Sequence, residues 1–231
     1  MRTPAPADPR PPRIIFGMTS WLAFAVLAQS PNVVTIEATD DVWVYGHAQD
    51  QTQDEYVRCW GADGQAVSAD GTAGSWSLLK FAVKPDQAKG KPQVFLELTM
   101  PGKVGWDAAD AKAFPLQVRW GSASFSEKEW EFGLASTVIP SAAEDAIIGV
   151  VSPEPSQDEK PRAFRVELSK NPRFAAWMDR AAAGKETATL SLARSSTIDP
   201  VQAGEGGIYK FFSRTTDNAA YRPKLILSSA Q

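Results

Sequence analysis

Residues Phe164-Arg165-Val166-Glu167-Leu168 alternate apolar and charged side chains without a break. Only an extended strand puts every second residue on one face, so such a run forms one apolar face and one wet face. The same period recurs along the chain. Strands are predicted at 33–36, 42–45, 78–83, 94–100, 116–120, 130–134, 147–151, 164–168, 188–193, 208–212 and 224–227. Gly, Pro, Asn and Asp separate them at spacings of about ten to twenty residues. Short strands at that spacing, without a helix between each pair, predict an antiparallel β-sandwich rather than βαβ units. One short helix is expected. Asn171 suits its N-cap, Pro172 its first turn and Gly184 its end, with Phe174, Trp177, Met178 and Ala181 on one face. A weaker helical pattern covers Asp107 to Ala113.

The first residues do not belong to that pattern. Arg2, Arg10 and Arg13 lie in a Pro-rich start, and Ile14 to Ala28 carries no charge. Fifteen residues are too few for the roughly 20 that span a bilayer. Small residues end the stretch before Gln29, so residues 1–28 are expected to be a signal peptide and 29–231 a single exported domain. Its removal takes away three Arg and one Asp and moves the formal net charge from −3 to −5. An acidic exported chain argues against nucleic acid as partner and leaves no membrane attachment after cleavage, with the cell surface or envelope as the expected setting. The single cysteine, Cys59, has no intrachain partner, and is expected to be a buried thiol or, alternatively, a link between chains.

The residues that perform chemistry are scarce. One His and one Cys exclude a multi-histidine or Cys-based metal site, and catalysis through His47 finds no Gly-x-Ser-x-Gly elbow to serve. Glu127, Glu129 and Glu131 form the densest acidic cluster; on one strand they would share a solvated face. No catalytic residue and no cofactor is assigned, and the expectation is a protein that is not an enzyme, although a pair of carboxylates in a polysaccharide-degrading cleft is the alternative. Structural calcium is the one metal the composition permits, with Asp40, Asp41, Asp50, Asp54, Glu55, Asp63 and Asp70 as oxygen donors in turns. Aromatic rings are plentiful: eight Trp and eleven Phe. Trp60, Trp76 and Trp106 fall in predicted loops and are the candidates for stacking on a sugar ring, whereas Trp43, Trp120, Trp130 and Trp177 are expected in the core. The stretch 47–74, with Asp-Gly at 63–64 and 70–71, reads as one long loop, as do 154–162 and 195–207.

Several segments, in order, resemble the DNRLRE domain, also classed as carbohydrate-binding module family 96. Thr39-Asp40-Asp41-Val42-Trp43-Val44 is similar to that family's Ala-Asp-x-Tyr-Val opening, and Ser77-Leu78-Leu79-Lys80-Phe81 to its Leu-Arg/Lys-Phe strand. Val94 to Leu98 resembles the next apolar strand, Phe125-Ser126-Glu127 with Trp130 its Trp-Ser-Glu…Thr-Trp segment, and Phe164 to Leu192 the strand, helical turn, Gly and strand that follow. Phe212-Ser213-Arg214 and Arg222-Pro223-Lys224-Leu225 look like its closing motif. The chain departs from the pattern where Phe125 replaces Trp and Thr215 stands where Glu is usual. The resemblance implies a jelly-roll sandwich that binds an acidic polysaccharide such as alginate. A uronate carboxylate calls for cations, Arg above all. Lys80 and Arg214 match the motifs, and Lys210, Arg58 and Arg119 are the further candidates; Lys80 and Arg214 could equally brace the fold. A structural or adhesive surface protein is the other reading.

Overall fold

A computed structural model describes residues 32–44, 51–61, 74–120, 125–131, 146–156, 158–183, 188–194 and 208–228. All belong to the unit Pro31–Gln231. The segment 1–28, His47, Tyr45, Gly184 and the 195–207 stretch lie outside the described residues.

The fold is all-β and antiparallel, built on one unusually long strand. Strand β1 (Val33–Val44) serves two sheets. Its first half, Val33 to Glu37, pairs with β10 (Lys224–Ser228), which pairs with β4 (Gln93–Met100), which pairs with β7 (Arg162–Glu167). Its second half, from Ala38 to Val44, pairs with β3 (Gly74–Phe81). From there the ladder continues through β8 (Ala188–Arg194) and β5 (Leu116–Trp120) to β6 (Ile147–Val151). The register slips between Ala38 and Asp40, a bulge at the point where the strand passes from one sheet to the other. The sequence breaks its period here too, which is why two strands are expected at 33–36 and 42–45 where there is one.

Alternation then fills the interior. Val94, Leu96 and Leu98 of β4 point inward, with Leu225 and Leu227 of β10, Leu79 and Phe81 of β3, and Leu190 and Leu192 of β8. The end strands of the ladder approach each other, since a methyl group placed on Gly149 of β6 would stand 2.6 Å from Cγ1 of Val166 in β7.

Three differences from expectation have local causes. Strand β2 (Tyr56–Gly61) runs through the supposed 47–74 loop, paired with β9 (Tyr209–Phe212) and with the start of β3; the nearby Asp-Gly turns mask it. Trp130 closes a 3₁₀ turn, Glu127–Glu129, and neither it nor Glu131 is in a strand; residues 132–134 of the predicted strand lie outside the described residues. Three helices, not one, occur among the described residues. They are α1 (Pro85–Ala88), α2 (Ala108–Ala113) and α3 (Pro172–Ala182). In α2, Asp107 accepts from the Ala109 and Asp110 N–H groups while the Asp110 carboxylate accepts the Asp107 N–H, a reciprocal cap that rescues a weak pattern. In α3, Asn171 caps as expected, and Phe174, Trp177, Met178 and Ala181 are buried.

Candidate functional site

Two places on the sandwich collect functional groups. The first is the bulge of β1. A bulge aims neighbouring side chains in directions regular pairing forbids, and here Asp40 and Asp41 both turn toward charged partners. Asp40 accepts the Glu127 N–H at 3.1 Å and lies 3.5 Å from Lys80 Nζ. Lys80 also donates to the Phe125 carbonyl at 2.8 Å. Asp41 Oδ2 accepts the Arg214 backbone N–H at 2.6 Å, and the Asp41 N–H donates to Glu127 Oε1 at 2.5 Å. The other Glu127 oxygen holds the Arg214 guanidinium. Three carboxylates thus meet two cations. Asp41 is only 2 % exposed. Burial drives its carboxyl up to about 7, the Glu127 charge adds to this, and the Arg214 N–H opposes it. Burial likewise raises Glu127.

Four segments that carry the family resemblance, around Asp40, Lys80, Glu127 and Arg214, therefore meet in one clasp. Its cations are paired with its own carboxylates, so Lys80 and Arg214 tie these segments together. Paired carboxylates with raised pKa values also mark acid–base catalysts, but Asp41 is enclosed by Arg214 and Glu127 and presents no oxygen to a substrate in this conformation. The three glutamates do not share a strand face: the 3₁₀ turn sends Glu127 inward and leaves Glu129 and Glu131 exposed.

The second place is the outer face of the sheet β1–β10–β4–β7. Register aligns Glu37, Lys224, Glu97 and Arg165 in one row and Thr35, Ile226, Phe95 and Glu167 in the next. Glu97 lies between two cations, 3.3 Å from Lys224 Nζ and 2.8 Å from Arg165 Nε. Across these rows runs an open groove of about 460 Å³, with Phe95, Ile226, Thr35 and Val33 beside the charged row. The Arg165 side chain is 55 % exposed. Nothing in the sequence singled out this groove, because its rows exist only through strand register.

The other candidates divide as follows. Arg58 and Lys210 face each other across β2 and β9. Arg58 pairs with Asp54 at 3.3 Å and sits 4.8 Å over the Trp43 ring. Arg119 is buried and donates to Gln117. Exposure of the three tryptophans is overturned: Trp60, Trp76 and Trp106 are 6 %, 4 % and 4 % exposed. Trp60 packs on Trp43 at 5.8 Å, Trp106 meets Tyr209 edge-on at 4.9 Å, and Trp76 lies under Phe125 and Trp130. Two tryptophans assigned to the core, Trp120 and Trp130, are the half-buried ones. Cys59 is fully buried and burial pushes its thiol up, which removes it as a link between chains in this conformation.

Among the described residues no group of three or more His, Cys, Asp or Glu is arranged to hold a metal ion. Of the calcium donors, Asp40 and Asp41 are bound into the clasp, Asp54 accepts from Trp43 and Arg58, and Asp50, Asp63 and Asp70 lie outside the described residues. No protein-family model matches the chain, and no curated protein matches it.

Proposed function

We propose that the chain is an exported, non-catalytic sandwich module that binds carbohydrate, with an acidic polysaccharide such as alginate as the ligand class. The observation that carries this is the groove over β1, β10, β4 and β7, where the exposed Arg165 and the Phe95 ring stand within one open depression. A pyranose presents a C–H face that packs on an aromatic ring. A guanidinium meets a carboxylate with paired, charge-assisted hydrogen bonds. Arg165 has its Nε on Glu97 and a side chain more than half exposed, which supports contact with a uronate oxygen. The resemblance to carbohydrate-binding module family 96 supports the same reading.

Affinity electrophoresis through gels containing alginate, polygalacturonate or a neutral glucan tests it. The unmodified chain is expected to be retarded by a uronate polymer. Phe95→Ala and Arg165→Ala should each weaken retention roughly tenfold, since each removes an interaction worth about 1.4 kcal/mol or more. Free migration in all three gels would sink the proposal. Release of reducing sugar would replace it with a degrading enzyme.

A further inference from the structure

The outer face of β1 and β3 carries Val42, Val44, Trp76 and Leu78, and among the described residues what packs on it is not the other sheet but the segment 125–131. Phe125 and Trp130, edge to face at 6.2 Å, form the cover. Beneath it the indole N–H groups of both Trp76 and Trp130 are buried without an acceptor. An unpaired buried donor is a cost borne by the covered state alone. The segment is also fastened at one point: the Phe125 carbonyl to Lys80, the Glu127 N–H to Asp40, and the Glu127 carboxylate to Arg214 and the Asp41 N–H.

We propose that residues 125–131 are a lid over the Trp76 surface, and that the cluster of Asp40, Asp41, Glu127, Lys80 and Arg214 is its latch, loosened as pH rises toward neutral rather than as it falls. The groups facing Asp41 are Asp40 on its own strand, Glu127 on the lid and Arg214 beyond β9, while Lys80 on β3 pairs with Asp40. With Asp41 protonated, two carboxylates balance two cations. Ionising Asp41 places a third negative charge among them, at the most buried position. Lifting the lid carries Glu127 away and restores the balance. Burial holds the Asp41 carboxyl up at about 7 while the lid is closed, so the closed state loses stability as pH rises from the ordinary carboxylate range to about 7, and no further above it.

Thiol labelling with an aromatic disulfide reagent tests this on the full chain, independently of any carbohydrate. Val42→Cys puts a thiol under the lid, while native Cys59 reports opening of the main core. Rates are divided by the thiolate fraction measured for the same chain in urea. The corrected rate for Val42→Cys is expected to rise at least tenfold from pH 5 to pH 7.5, with Cys59 still protected. Asp41→Asn in the same chain should abolish the rise, and Lys80→Met should make labelling fast at both pH values. A corrected rate that ignores pH, or labelling at both positions in step, overturns the lid. Should Val42→Cys not fold, acrylamide quenching of tryptophan fluorescence decides: quenching that increases from pH 5 to pH 7.5 in the unmodified chain but not in Asp41→Asn supports the lid, and identical profiles overturn it.

Discussion

At the scale of single residues, the interest lies in Asp41. Its carboxyl is raised in the fold from an ordinary 3.8 to about 7. A raised acid binds its proton more tightly in the folded chain, so its contribution to stability is complete below about pH 3.8 and is lost as pH rises through 7. That loss is on the order of 4 kcal/mol. Urea denaturation between pH 4 and 8 should therefore give a falling profile for the unmodified chain and a flatter one for Asp41→Asn. Glu127 presents the complementary case. Glu127→Ala leaves the Arg214 guanidinium and the Asp41 N–H without their acceptor, and a loss of about 2–3 kcal/mol in the same assay is expected. None of this could be read from the chain. Asp40, Asp41, Lys80, Glu127 and Arg214 were visible as motif residues, but whether a cation serves a ligand or a neighbouring carboxylate depends on contacts from 40 positions apart, Asp40 with Lys80, to 173.

At the scale of elements, alternation was informative and its interruptions were not. Strands β4, β5, β7, β8, β9 and β10 lie within a residue or two of their predicted bounds because large apolar residues recur at every second position on their core side, even in β8, which is buried along its whole length. Strand β2 was lost because turn signals beside it outweighed a short run, and Trp60, Trp76 and Trp106 were misplaced because loop assignment is a poor guide to burial, whereas Trp43 and Trp177 are in the core as expected. Trp106 is outside any strand, yet it packs on Tyr209, whose hydroxyl donates to the Phe114 carbonyl at 2.8 Å. The approach of β6 to β7 offers a test at this scale. A methyl group at Gly149 would meet Val166 at 2.6 Å and Leu168 at 3.2 Å, so Gly149→Ala should prise the two strands apart and lower the denaturation midpoint by about 1–3 kcal/mol equivalent. A midpoint within error of the unmodified chain would mean the two strands give way without cost.

At the scale of the whole molecule, the groove and the acidic charge act against each other. A chain of net charge −3, or −5 without its first 28 residues, repels a polyanion at long range. Binding of a uronate polymer should accordingly depend on short contacts to Arg165 and Lys224. Moderate salt, near 0.15 M, is expected to help by screening the repulsion, and 1 M salt to weaken the contacts; affinity electrophoresis across that range would reveal the maximum, and a steady decline from low salt would contradict it. The all-β class was legible from composition and period, whereas the groove depended on how four strands align, which no local pattern encodes. The pairing of β1 with β10 has one more consequence. Val33 lies opposite Ser228, so the two ends of the described domain leave side by side from the same edge of a hairpin-like ribbon. Pulled by those ends, as between a cell and a substratum, the ribbon is loaded in peeling geometry rather than in shear. Its hydrogen bonds would break in succession, Val33–Ser228 first, and single-molecule stretching should find a mechanically soft domain that yields at low force however high its thermal stability.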